Sequence, residues 1–150
     1  MTHPTDQRLR NAALGACRDV TGLIGILGIA RPNVLILGPE VETRRAIDDI
    51  HPHLATPIAT WEAEMPFRTL VVEDVDRLTT GQQQRLLHLL TDERDRIQVI
   101  ATSRHDVFES VESGAFLDLL YYQLNVVLLD LRAVRSGDAQ SRAGSSFATT

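Results

Sequence analysis

Short, largely apolar runs mark the chain at residues 34–37, 69–72, 97–101 and 124–129. The first two read as strands buried on both faces, and the others as a third and a fourth strand. Helical patterns fill the intervals. A helix from about Thr43 to His51 is ended by Pro52. Thr79 or Thr80 caps another, with Leu86, Leu87, Leu89 and Leu90 as its apolar stripe. Two more follow at 107–111 and 116–122, separated by Gly114. Before the first run, Thr5 or Asp6 can cap a helix running through Leu9, Ala13, Ala16 and Val20. Gly22, Gly25 and Gly28 weaken its continuation, and their spacing suits close backbone approach along one face. Residues 53–67 are weakly patterned, with a short strand expected near 56–59 and Trp61 expected to pack.

Strands alternating with helices predict an α/β fold, a parallel sheet with helices on both faces. Such sheets bind ligands at the carboxyl ends of their strands. Those ends carry Gly38, Glu73–Asp74 and Thr102–Ser103, three polar segments along one edge. From Arg132 onward Gly, Ser, Ala and Thr dominate without periodicity. We expect one folded domain over 1–131 and a disordered tail over 132–150.

Composition narrows the function. A net charge of −5 gives no sign of a basic nucleic-acid footprint, so no direct DNA binding is expected. All 15 basic residues are Arg, which removes every catalytic or phosphate-binding lysine. Cys17 is the sole cysteine, so no intrachain disulfide forms, and a reducing compartment fits. The most apolar run, 21–30, is too short to span a bilayer, and no secretory leader is apparent. The expected location is cytoplasmic, with no membrane partner.

The segment LILGPEVETRR (35–45) has the outline of a phosphate-binding loop. Gly38 follows a buried strand, and Arg44 stands six positions later, where the pattern G-x-x-x-x-G-K-[ST] has its Lys. Thr43 replaces the second Gly and Arg45 the Ser/Thr, while Pro39 deletes a backbone N–H. Glu40 and Glu42 set negative charge where phosphates would lie. His51 and His53 could be two metal ligands, but no third partner has an evident spacing.

Three stretches, in order, resemble an AAA+ ATPase core. TLVVEDVDRL (69–78) looks like its Walker B strand, and QVIATSR (98–104) looks like its sensor I strand. GAFLDLLYYQLNVV (114–127) is similar to the G-R-F-R-x-D-L-Y-Y-R-L-N-V segment of sigma-54-dependent transcription activators, with Phe116, Leu120–Tyr121–Tyr122 and Leu124–Asn125–Val126 matching. The resemblance spans roughly residues 20–130. It implies a P-loop NTPase-like core, with ATP and Mg²⁺ as cofactors. It also implies site residues: Gly38, Thr43 and Arg44 toward nucleotide, Glu73 and Asp74 toward metal and catalysis, and Ser103 as sensor I.

The departures fall on the chemistry. The Walker B acids stand in swapped order, Glu73 before Asp74, and Ser103 replaces the usual Asn. The two arginine fingers of the family fall on Leu117 and Gln123. The G-A-F-T-G-A loop that contacts sigma-54 has no room in residues 52–68, and the helical lid after the last strand gives way to the tail. These losses imply a degenerate, non-hydrolysing domain whose vestigial site holds no cofactor. It would act through a protein partner in bacterial transcription control or signalling, without direct sigma-54 contact and with self-association open. The alternative is a diverged ATP-binding regulator with residual ATPase activity. An unrelated α/β enzyme ranks last, because no catalytic set beyond these residues stands out.

Overall fold

The computed structural model describes residues 15–17, 19–93 and 97–132. The part of the expected N-terminal helix before residue 15 and most of the expected tail lie outside them. Within the described residues, β1 (Gly15–Cys17) is followed by α1 (Val20–Leu27), β2 (Val34–Leu37) and α2 (Glu40–Ile50). A 3-10 turn (His51–His53), β3 (Ile58–Thr60) and β4 (Thr69–Val72) come next. A second 3-10 turn (Val75–Arg77) leads to α3 (Thr80–Asp92) and β5 (Gln98–Ser103). Then come α4 (Val107–Glu112), α5 (Asp118–Leu124) and β6 (Val127–Asp130).

All strand pairs are parallel, in the order β1-β6-β2-β5-β4-β3. The four residues of β2 and the four of β4 are buried throughout, as expected for strands covered on both faces. Successive side chains of β2 feed opposite cores. Leu35 and Leu37 join Leu70, Val72, Leu86, Leu90, Leu120 and Leu124 beneath α3, α4 and α5. Val34 and Ile36 join Leu23, Leu27, Ala46, Ile50, Ile100 and Leu129 beneath α1 and α2.

The structure moves several boundaries. Ala16 lies in β1 opposite Leu128, not in a helix through Val20. The helix starts afresh because Asp19 caps it, accepting from the Gly22 N–H at 3.0 Å. A Cβ on Gly25 would meet nothing within 4 Å, and one on Gly28 would meet only its own helix, so neither serves close approach to the sheet. Helix α2 begins at Glu40 rather than Thr43, which takes Glu40 and Glu42 out of any loop. Helix α5 runs on to Leu124, because Leu120, Tyr121 and Leu124 form one buried face, and β6 therefore starts only at Val127.

Two side-chain amides, the buried Gln83 and the partly buried Asn33, bind these layers. The Gln83 side chain is 2% exposed and donates to the Leu78 and Ala115 carbonyls, both at 3.0 Å. It also accepts from the Leu117 N–H at 2.9 Å, which docks the start of α5 onto α3. Asn33 donates to the Gln123 carbonyl and accepts from the Val99 N–H, each at 2.8 Å, so it ties α5 and β5 to the start of β2. In GAFLDLLYYQLNVV, Tyr121 is buried against Phe108 with ring centroids 5.7 Å apart, and its hydroxyl accepts from Asn125 at 3.1 Å.

These bonds rank the expected losses. Gln83→Leu takes the partner from two carbonyls, Leu78 and Ala115, and from the Leu117 N–H, and should destabilise the domain by about 2–4 kcal/mol. Thr79→Ala removes one half of an exposed capping box with Gln82 and should cost about 1 kcal/mol. Urea denaturation of both variants should give that order.

Candidate functional site at the carboxyl edge of the sheet

Only Gly38 and Pro39 separate β2 from α2. Gly38 has φ +156°, and a Cβ there would lie 3.0 Å from Leu131 Cβ and 3.7 Å from Thr43 Cγ2. Glycine is thus required by conformation and by space. Its N–H donates to the Ser103 carbonyl at 3.0 Å, extending the ladder to β5. The Pro39 carbonyl accepts from Glu42 and Thr43 at 3.0 and 2.9 Å and closes the first helical turn. Thr43 is buried and donates its hydroxyl to the Glu40 carbonyl at 3.0 Å. The turn is filled by the chain's own side chains. Glu40 and Glu42 in the first turn are favoured by the helix dipole, which accounts for a helix starting here.

The charged groups of the edge pair with one another. Arg44 lies one turn along α2, with Nη2 3.2 Å from Glu40 Oε2 and Nε 3.4 Å from Glu73 Oε1. Arg104, just beyond β5, places Nη2 2.6 Å from Glu40 Oε1 and Nε 3.7 Å from Asp74 Oδ1. Three carboxylates therefore surround two guanidiniums, and Glu73 and Asp74 are held by different arginines. Asp74 adopts the left-handed conformation, φ 53° and ψ 51°, and its N–H donates to Thr102 Oγ1 at 3.1 Å. That bond helps offset a backbone strain of about 1–3 kcal/mol. Ser103 is 1% exposed. Its hydroxyl is spent locally, donating to the His105 carbonyl at 2.7 Å and accepting from the His105 N–H at 3.1 Å.

Of the residues singled out by sequence, Arg44, Glu73 and Asp74 meet in this network. Gly38 and Thr43 pack beneath it, and Ser103 turns away. Glu40, Thr102 and Arg104 are the members that motif reading undervalued. Asp74 and Arg104 also line a cleft of about 190 Å³ with Asp76, Arg77 and His105. That is small beside the roughly 300–1,000 Å³ of ordinary ligand pockets. Among the described residues no three His, Cys, Asp or Glu side chains converge as metal ligands. His51 and His53 sit in an exposed 3-10 turn, where the His53 carbonyl accepts from Arg31 at 2.8 Å. At the two positions where the resemblance puts arginine fingers, Leu117 precedes α5 and packs on the core, and the Gln123 backbone carbonyl accepts from Asn33. No described helix is long and apolar enough to cross a membrane.

Known proteins share this architecture. NtrX from Brucella abortus superposes with a TM-score of 0.59 at 15% identity, over 75% of this chain and 35% of NtrX. A structure of the same protein in complex with ATP gives 0.62 at 15% identity, over 83% of this chain and 40% of that one. The P-loop NTPase domain of the sigma-54 transport activator from E. coli gives 0.52 at 16% identity, over 69% of this chain and 99% of that domain. The chain thus spans well under half of NtrX. No curated protein matches its sequence. These likenesses establish an AAA+, P-loop NTPase-like fold, and the sequence model of the sigma-54 interaction domain matches residues 34–134, from β2 through β6. The chain belongs to the sigma-54 interaction domain family.

Proposed function

We propose that this is a sigma-54-activator-type AAA+ domain that no longer hydrolyses ATP and works as a protein-interaction module in bacterial transcription control or signalling. The observation that carries this reading is the pairing of Arg44, at the position of the phosphate-binding lysine, with Glu40 and Glu73. A magnesium nucleotide fits these residues poorly. A phosphate loop needs several backbone N–H groups turned inward. Here two residues span the gap, one of them is Pro39, and Leu131 and Thr43 pack against Gly38. A metal would have to draw Glu73 and Asp74 away from their separate arginines. The finger positions Leu117 and Gln123 carry no cation.

Partner contact is a protein surface question in this reading. On α5, Leu119 is 65% and Tyr122 44% exposed, while Tyr121 beside them is core. Leu119 and Tyr122 are the contact residues we assign. Direct sigma-54 contact falls outside the reading, because only residues 61–68 join β3 to β4 and leave no room for a G-A-F-T-G-A loop.

Residual nucleotide binding is the second reading. It draws on the NtrX structures, which were obtained in complex with ATP and with ADP. It requires α2 to unwind at its first turn and Arg44 to leave Glu73.

Calorimetric titration separates the two. Millimolar ATP with Mg²⁺ should give no binding heat and no thermal shift, whereas a Mg²⁺-dependent stabilisation would establish the second reading. Arg44→Ala should change unfolding free energy by no more than about 0.5 kcal/mol, since its pairs are half-exposed and Glu40 keeps Arg104. A larger loss in urea denaturation would mean that the network has a greater structural role than exposed pairs carry.

A further inference from the structure

The two oxygens of Glu40 are taken by two different arginines. Oε2 faces Arg44 of α2 at 3.2 Å, and Oε1 faces Arg104, 64 residues along the chain, at 2.6 Å. Carboxylate and phosphate present similar oxygen geometry to guanidinium groups, and arginine recognises both in the same way. Two guanidiniums converging from separate elements on one carboxylate therefore form a cradle suited to an oxyanion. The carboxylate inside it belongs to the chain. The cradle is open to solvent, because Arg44, Arg104 and Glu40 side chains are 61%, 48% and 44% exposed. Its outer partners are Glu73, 3.4 Å from Arg44, and Asp74, 3.7 Å from Arg104.

We propose that Glu40 is a resident anion, occupying a two-arginine site that would otherwise take a phosphate-class oxyanion. Its side chain supplies from within the negative charge that an external ligand would bring, and it excludes that ligand by competition and by repulsion. The inference rests on the reading that the native chain binds no nucleotide, and it names the group that prevents binding. Removing Glu40 leaves two arginines against two acids. The unmasked site is electrically balanced and therefore of modest affinity.

Thermal unfolding of the full chain tests this, with inorganic phosphate or Mg²⁺-free ATP added and sodium chloride matching the ionic strength. The proteins are the wild type, Glu40→Ala, and Glu40→Ala combined with Arg104→Ala. Phosphate raises stability generally, so each shift is read against the double variant. Glu40→Ala should gain about 2–5 °C beyond that reference at tens of millimolar phosphate, and the wild type should gain nothing. Glu40→Gln, which keeps the shape of the side chain, carries the same expectation if Glu40→Ala does not fold. A Glu40 variant that tracks the double variant overturns the resident-anion role and leaves the proposed function standing. A phosphate-specific or ATP-specific gain in the wild type overturns the proposed function and, with it, the masking by Glu40.

Discussion

Two residues, Gly38 and Pro39, have to carry the chain from the end of β2 into α2, and the rest of the edge follows from that constraint. A connection this short cannot wrap a phosphate chain with backbone N–H groups. It brings Glu40 into the first helical turn and Arg44 onto the second. Thr43 then lies under Gly38, and Leu131 closes the other side. Once the helix begins at Glu40, its first two acids are stabilised by the helix dipole rather than opposed to a ligand. The same placement lets Glu40 reach across to Arg104 and join α2 to the end of β5.

The forces holding the fold and those shaping the edge are separate. The two apolar cores, with Gln83 and Asn33 as hydrogen-bonding pins, span every layer without any group of the edge network. The ion pairs at the edge are half-exposed, and each contributes little, at most about 1 kcal/mol. Substitutions there are therefore tolerated by the fold.

The central strands were legible in the sequence because both of their faces are buried. Residues 34–37 and 69–72 read as continuous apolar runs and are β2 and β4. The cap of α3 was legible only as Thr79 or Thr80; the structure places it at Thr79, closed by Gln82. The GAFLDLLYYQLNVV segment pointed to the family, and its Phe116, Leu120, Tyr121 and Leu124 are core residues. Legibility failed where local pattern and tertiary pairing compete. β1 is a strand of three residues that, among the described residues, pairs with β6 alone, so its residues resembled the approach to a helix. The start of α2 was obscured by the phosphate-loop outline, although Glu40 and Glu42 are themselves helix-start residues. At the edge, Arg44 could be named from its spacing after Gly38, and Glu73 and Asp74 from their place after an apolar run and from the family resemblance, but the Glu40–Arg104 pair could not. It depends on the register of β2 with β5, which places Leu37 beside Ser103. Nothing in the sequence signals the left-handed backbone of Asp74, because Asp occupies many other conformations more often.

The central claim is that this edge is closed by the chain itself, with no ligand needed to order it. Amide hydrogen exchange on the ligand-free protein tests it most directly. The Gly38, Glu42 and Thr43 N–H groups donate to Ser103 and Pro39 carbonyls at 3.0, 3.0 and 2.9 Å. The account predicts that they exchange slowly, with protection within about tenfold of the Ala46–Ile50 turn that follows. Exchange of these three amides at the rate of an unstructured chain, with protection restored on adding Mg²⁺ and ATP, would contradict it.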